Sequence, residues 1–327
     1  MSEVIRDYNE FARWLSARGL KSLFVVCGNS FAGIAPGRFL DCLAAVGFRI
    51  TYFRDFTPNP DHSSVVKGIE AFRESGADTI VGAGGGSAMD VAKAIKFEGE
   101  LKVPFAAIPT TAGTGSEATR FAVIYDNGTK TSLTSDSMLP DVVLIDPSVL
   151  EGLPLYQKKA TLSDAVCHAV ESAWSAATCE ESRKFSYSAL DKIFAGYKAY
   201  LESDDTTFGA MMDAAFEAGE AINITKTTGG HALCYKLTTK YGLAHGHAAL
   251  LCVNALWDFM EGRTDNMKFV EDYKAQFREF FEYLALPKPE IAEEDYDGLA
   301  DSVNLDRLSN NPVALTHEDI VNIYHNL

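Results

Sequence analysis

The sequence predicts an α/β domain with a doubly wound parallel sheet over residues 1–152, followed by an all-helical domain over residues 153–327. Three observations lead there. Short apolar runs alternate with helix-like stretches up to about Leu153. Several of those runs end in glycine- or threonine-rich turns. Beyond Leu153 the segments grow long and rich in Ala, Leu, Glu and aromatic residues, with few strand-like runs. Strands alternating with helices imply βαβ units and a mostly parallel sheet. A chain of 327 residues suits two domains of ordinary size. Its 47% hydrophobic and 23% charged content is that of a globular chain with a sizeable core.

The elements follow in order. LFVVCG (Leu23 to Gly28) is an apolar run ending in glycine, and a helical pattern continues to about Val46. FRITYF (Phe48 to Phe53) is a second strand, broken by TPNP, and helical periodicity spans His62 to Ser75. DTIVGAGGGS runs from a strand into a glycine turn, with a helix from about Ala88 to Phe97. PFAAIPTT and DVVLIDP (Asp141 to Pro147) are further strands. In the second half, residues 156–178, 181–201, 206–223, 229–240 and 245–261 read as helices, with Ser163 placed as the N-cap of a helix starting at Asp164. The acidic stretch PKPEIAEEDYDGLADSVN reads as a solvated helix surface.

Composition removes several function classes. The 45 acidic against 29 basic residues give a net charge of -16, which argues against nucleic acid or an anionic membrane as a general partner. The N-terminal stretch has no apolar run suited to a signal peptide, and no stretch reaches the ~18 apolar residues of a membrane span. Six cysteines are scattered with no CxxC pair, as in a cytoplasmic protein with reduced thiols.

Two turns carry nucleotide chemistry. Gly84-Gly85-Gly86-Ser87 joins the strand Thr79–Val81 to a helix bearing Asp90 and Lys93. Glycines there let backbone N–H groups approach a pyrophosphate, and the helix N-terminus adds its positive dipole end. The motif is not GxGxxG and lies on a later strand than that fingerprint. The second turn, Pro109-Thr110-Thr111-Ala112-Gly113-Thr114-Gly115-Ser116-Glu117, offers hydroxyls and small residues after the next strand, where ligands of open α/β sheets bind.

A metal constellation lies in the second half. Asp164 and His168, four residues apart in SDAVCHAVE, project from one helix face. His231 in TTGGHALCY and His245 in GLAHGHAAL complete a four-ligand set. Imidazole with carboxylate suits Fe²⁺, Zn²⁺, Co²⁺ or Ni²⁺ without selecting among them. These groups fall in helical segments poor in other charges, where a polar group without a partner is expensive.

Together, GGGSAMDVAK, PTTAGTGSEAT, SDAVCHAVE and GGHALCYKL…GLAHGHAAL resemble the iron-containing alcohol dehydrogenases, whose fold is also similar to glycerol dehydrogenase and dehydroquinate synthase. The resemblance covers nearly the whole chain, with ligand spacings of 4, 63 and 14 residues. It implies Asp164, His168, His231 and His245 as ligands of Fe²⁺, with Zn²⁺ as the alternative ion. It implies that Gly85, Gly86, Ser87, Thr110 and Thr111 bind NADPH or NADH. Asp90, Thr114, Ser116 and Lys130 belong to the same expected cofactor set, as do Gly28, Asn29 and Ser30 at the end of the first apolar run.

Two departures from that family pattern stand out. Tyr235 occupies the position four residues after the third ligand where many members carry a second histidine near the nicotinamide. The first apolar run ends Cys27-Gly28-Asn29-Ser30, without the acidic residue that repels a 2′-phosphate in NAD-preferring members. NITKTTGGHALCYKLTTKYGLAHGHA and the ending DRLSNNPVALTHEDI also resemble the phosphonoacetaldehyde reductase subgroup, which makes 2-hydroxyethylphosphonate. Lys226 and Thr227 are then the expected substrate-binding residues, the lysine acting as a point charge for a phosphonate.

The reading is a metal-dependent NAD(P)H oxidoreductase that reduces a small aldehyde to a primary alcohol, with water, His247 or Tyr235 passing the proton. A general short-chain alcohol dehydrogenase and a dehydroquinate synthase-like lyase are the alternatives. The expected partners are a small aldehyde or alcohol, including a phosphonate, and a second copy in a homodimer.

Overall fold

A computed structural model describes residues 2–29, 31, 43, 47–126, 129–303 and 308–327. The chain divides into two compact units: the described residues of Met1–Thr111 with Gly115–Gly152, and Ala112–Thr114 with Leu153–Leu327.

The first unit is built on a six-stranded sheet in the order β1-β8-β5-β4-β2-β3. The strands are β1 (Glu3–Ile5), β2 (Ser22–Cys27), β3 (Arg49–Phe53), β4 (Thr79–Gly84), β5 (Phe105–Pro109) and β8 (Val142–Leu144). Every pairing in it is parallel. The chain steps from β2 out to β3, then crosses back past β2 to β4 and β5. That reversal puts the topological switch point at the carboxyl ends of β2 and β4, where such sheets bind ligands.

The central strands β2, β4 and β5 are buried from end to end, so they read as continuous apolar runs rather than as alternating ones. Both sheet faces are covered. Leu23 and Val25 of β2 pack with Phe11, Trp14 and Leu15 of the helix Tyr8–Ala17 on one side. Phe24 and Val26 pack with Val65 and Phe72 of His62–Ser75 and with Val91 and Ile95 of Gly86–Glu98 on the other. Strand period two therefore feeds two separate cores. The helix His62–Ser75 starts at Asp61, whose side chain accepts the Ser63 N–H, and stops at Gly76 in the left-handed conformation (φ 61°).

Two features were not expected. β1 is a three-residue edge strand, too short to show alternation. β6 (Phe121–Asp126) and β7 (Thr129–Thr134) form a separate antiparallel pair whose Ile124 joins the second core. Of the helix expected up to Val46, only Phe31 and Leu43 fall among the described residues, and both are buried in the first core.

The second unit is helical. Its helices are Leu155–Trp174, Glu180–Leu201, Phe208–Thr225, Gly229–Tyr241, His245–Met260, Lys274–Leu284, Tyr296–Asp301 and His317–His325. Ser163 is no N-cap: the first of these helices begins after Pro154, and Ser163 lies buried in its interior, its hydroxyl bonded to the Lys159 carbonyl (2.8 Å). A proline tolerates the entry to a helix, and no break follows that would call for a second cap. The acidic stretch near residue 295 is only partly solvated, since Leu299 and Ala300 are buried. No helix among the described residues is long and apolar enough to cross a membrane.

Leu155–Trp174 is the axis of this unit. Every residue from Leu162 to Trp174 is buried, and the helix packs against Glu180–Leu201, Phe208–Thr225 and His245–Met260. The close approach of the last depends on Gly246, where a Cβ would lie 2.1 Å from the Ala160 carbonyl oxygen and 2.6 Å from Asp164 Cβ. Gly246→Ala gains about 1 kcal/mol of helix propensity. It also forces two backbones apart, at about 1–3 kcal/mol or more. The clash is with main chain, which cannot turn aside, so net destabilisation is expected. A lower denaturation midpoint in the metal-free protein checks it.

Candidate active site

In the first unit, Gly84 adopts φ 148°, and a Cβ there would meet Ala88 Cβ at 2.9 Å. Gly85 then opens the helix Gly86–Glu98 without any side-chain cap, and no acidic residue occupies its first turn. The second turn lies alongside: the Thr110 N–H donates to the Gly84 carbonyl (3.1 Å), and Thr111 sits 3.7 Å from where a Gly85 Cβ would be. Gly85, Gly86, Ser87, Thr110 and Thr111 thus converge at the carboxyl edge of β4 and β5. Uncapped N–H groups beside small residues and hydroxyls form a cradle that fits a phosphate. Gly28 and Asn29 follow β2 at the same edge. Ser30 lies outside the described residues, as does the side chain of Lys130 in β7.

Asp90 and Ser116, expected at the cofactor, belong to a network around the buried Lys93. The Lys93 ammonium donates to Ser116 Oγ (3.0 Å), Thr119 Oγ1 (3.1 Å) and the Phe121 carbonyl (2.8 Å). Ser116 Oγ donates to Asp90 Oδ1 (3.0 Å), and Asp90 Oδ2 accepts the Val123 N–H (3.1 Å). Burial brings Lys93 down to about 8, against the pull of Asp90 and Glu117. Burial likewise lifts Glu117 to about 7. The network ties the segment after β5 to the helix Gly86–Glu98. Thr114 belongs to the helical unit and is half-buried.

In the second unit, three imidazoles converge on one carboxylate. Asp164 Oδ1 lies 3.2 Å from His231 Nε2, 3.7 Å from His168 Nε2 and 3.9 Å from His245 Nε2. Ligand atoms of Asp164, His168 and His231 all fall within 4.8 Å of one another. These three side chains are buried, whereas that of His245 is 40% exposed and marks the open side. The His168 and His231 rings stack at 4.6 Å.

The electrostatics follow from burial opposed by charge. Burial disfavours an ionised Asp164, yet the surrounding imidazoles, His168 and His245 foremost, hold its carboxyl well below the usual range. Burial lowers His168 to about 4 despite Asp164. In His231 burial is outweighed by Glu171 and Asp164, and the ring rises to about 9. One carboxylate and three imidazole nitrogens in a dry pocket are the donor set of a borderline divalent ion. The residues present fit such an ion.

The remaining candidates are placed differently. His247 has both ring nitrogens engaged: Nε2–H donates to the Pro287 carbonyl (2.9 Å), and Nδ1 accepts the Tyr156 hydroxyl (3.1 Å). Tyr156 in turn accepts the Ala244 N–H (3.1 Å), fixing the entry to the helix that begins with His245. Tyr235 is half-buried, one turn beyond His231 on the same helix. Lys226 is exposed, with φ 63°, and Thr227 follows it half-buried. Asn310 Nδ2 donates to the Thr225 and Thr227 carbonyls (2.7 and 3.0 Å), and Asn311 Oδ1 accepts the Gly229 N–H (3.3 Å). The SNNP segment singled out in the sequence thus clamps the loop ahead of His231.

The sequence reading missed Glu171 and Tyr156. Glu171 lies seven residues after Asp164 and three after His168, on the same helix face, and is fully buried against His231. A glutamate inside an apolar helix at that spacing was the available signal.

Chelation should therefore abolish activity, and Fe²⁺ should restore it better than Mg²⁺, which seeks oxygen ligands. His231→Ala should carry no bound metal by elemental analysis. Full activity in metal-free protein contradicts the assignment.

Comparison with known proteins agrees with this geometry. Residues 6–147 match the family model described as iron-containing alcohol dehydrogenase, and residues 159–273 match the C-terminal model of the Fe-containing alcohol dehydrogenase family. A 1-propanol dehydrogenase of Salmonella typhimurium is 31% identical over 253 residues, 74% of this chain and 68% of that protein. A phosphonoacetaldehyde reductase of Streptomyces viridochromogenes is 31% identical over 252 residues, 68% of this chain and 63% of that protein. Among solved structures, the sulfoacetaldehyde reductase of Bifidobacterium kashiwanohense in complex with NAD⁺ superposes with a TM-score of 0.89 at 26% identity, covering 99% of this chain and 96% of that one. The chain belongs to the iron-containing alcohol dehydrogenase family, and it is an oxidoreductase of that type.

Proposed function

We propose that this oxidoreductase reduces phosphonoacetaldehyde to 2-hydroxyethylphosphonate, using NADPH at least as well as NADH. The observation that carries the general reaction is the buried Asp164 carboxylate ringed by His168, His231 and the partly exposed His245. When bound, the metal supplies Lewis acidity toward the aldehyde oxygen and the reduced nicotinamide supplies the hydride. Asp164 and the three histidines hold the ion, with Asp164, His168 and His231 buried and His245 partly exposed. The glycine turn and Thr110–Thr111 hold the cofactor phosphates. Tyr235, one turn past His231, is the better placed of the two proton candidates, because His247 already uses both ring nitrogens.

The anionic substrate is supported by Lys226, an exposed cation five residues before His231 in a clamped loop. Two relatives named above act on acetaldehydes that bear an anionic oxo-acid group, phosphonate in one and sulfonate in the other. NADPH use is supported by the end of β2, where Gly28 and Asn29 present no carboxylate. The β2–β3 pairing of Val26 with Phe53 also brings Arg54, the next residue, beside Cys27. An arginine there is a natural partner for a 2′-phosphate.

Phosphonoacetaldehyde should be reduced far more efficiently than propionaldehyde, because a held dianion contributes binding energy remote from the carbonyl and orients it. Lys226→Ala, equally a non-glycine residue at that backbone position, should erase most of the preference, a factor of about 10–150 from a contact worth about 1.5–3 kcal/mol. Activity on propionaldehyde should persist. Specificity constants for both aldehydes, with each cofactor, decide it. Equal loss on both substrates assigns Lys226 a structural role, and no preference in wild type makes the protein a general aldehyde reductase.

A further inference from the structure

We propose that Glu171 is a positioning residue of the metal centre: it sets the tautomer of His231, so that Nε2 offers its lone pair beside Asp164, while capping the helix that carries His231. The inference rests on the metal-centre reading above.

The two carboxylate oxygens do different work. Oε1 accepts the Thr228 N–H (3.0 Å), the Thr228 hydroxyl (2.7 Å) and the His231 N–H (3.3 Å). Thr228 and His231 are the N-cap and third residue of the helix Gly229–Tyr241, and that helix has no cap from its own N-cap side chain. The Thr228 hydroxyl cannot serve, because it donates to Glu171 and accepts the Trp174 indole N–H (2.9 Å). A carboxylate from a neighbouring helix thus takes the orphan donors at a positive helix end. Gly230 leaves the space, since a Cβ there would come within 3.2 Å of Oε1 and 2.3 Å of Val253 Cγ2.

Capping accounts for Oε1 alone. Oε2 faces His231 Nδ1 in a direct hydrogen bond, while His231 Nε2 faces Asp164. A carboxylate can only accept, so Nδ1 keeps a proton toward Glu171, which leaves Nε2 as the ring nitrogen that can give its lone pair to an ion beside Asp164. A fully buried carboxylate is costly to desolvate unless it is so surrounded, and here all its contacts bear on one loop and one ring.

Glu171→Gln separates the two roles. The amide oxygen can keep the three bonds of Oε1, but the amide nitrogen can only donate to Nδ1, which drives the proton onto Nε2 and against the metal. Metal-free wild type and variant are titrated with Co²⁺ against a chromophoric chelator. The variant should bind about 10- to 100-fold more weakly, the usual range for losing such a partner, with its thermal midpoint little changed. In Zn²⁺-loaded wild type labelled with ¹⁵N-histidine, His231 should show a protonated Nδ1 and a metal-bound Nε2. Co²⁺ affinity of the variant within threefold of wild type overturns the proposal, as does metal on Nδ1. Should the variant fail to fold, Thr228→Val provides the second measurement. It removes one donor from Oε1 and the acceptor of the Trp174 indole N–H but leaves Oε2 on His231 Nδ1, so it should lower stability and leave Co²⁺ affinity intact, and a 10-fold loss of affinity overturns the division of roles. Wild type that takes up no Co²⁺ refutes the metal centre itself, whereas equal binding by wild type and Glu171→Gln refutes only the role of Glu171.

Discussion

The Asp164 carboxylate, ionised in the middle of a helix whose every neighbour is buried, governs the arrangement of the helical unit. A charge in that position is tolerable only if opposite charge or strong donors surround it. Three imidazoles do so from two other directions as well as from its own helix, and each approach leaves a trace in the sequence. His168 comes at helical spacing. His245 comes because Gly246 lets its helix touch the backbone at Ala160. His231 comes because Gly229 and Gly230 let its helix start against Glu171 and Asn311. The glycines flanking the histidines are therefore consequences of the carboxylate they must reach.

The α/β unit solves an opposite problem with similar means. Its cradle needs backbone N–H groups left unpaired at the carboxyl edge of β4, so the helix Gly86–Glu98 begins with glycine and no side-chain cap. Such a turn has little to hold it rigid. Rigidity comes from below, where Lys93 gathers Ser116, Thr119 and the Phe121 carbonyl while Asp90 closes the ring. Burial pulls Lys93 down to about 8 and lifts Glu117 to about 7, each opposed by the other's charge.

Much of this was legible in the sequence for physical reasons. The helices Glu180–Leu201 and Phe208–Thr225, whose apolar stripe repeats over four or more turns, appear within two residues of their predicted bounds, whereas Leu155–Trp174 stops four residues short of its expected end. Polar groups with one job, Asp164 and the histidines, stood out against charge-poor surroundings. What failed depended on partners distant in sequence. Ser163 has the chemistry of a cap but lies inside a helix that begins eight residues earlier. The bonds of Asp90 and Ser116 to Val123 and Lys93 were likewise not foreseen. β1 is too short for any period, and the β6–β7 pair was overlooked although Asn127-Gly128 stands between two β-rich runs. Glu171 was missed although it stands at helical spacing from Asp164 and His168 in an apolar segment, because its partners, Thr228 and His231, lie some sixty residues away.

Lys226 shows how the two levels meet. A lysine at φ 63° is strained, and strain persists only where surroundings over-determine it. Here they do: its N–H bonds the Ile222 carbonyl (2.7 Å), Asn310 holds the carbonyls on either side, and Glu171 holds the Thr228 N–H two residues on. A glycine would relieve the backbone at no packing loss, since the side chain is exposed. The clamp therefore holds a long cation out in solvent, five residues before His231. The same Glu171 that sets the His231 ring therefore also helps to fix the loop from which Lys226 projects. On the proposed function, metal affinity and recognition of an anionic aldehyde both depend on one buried carboxylate.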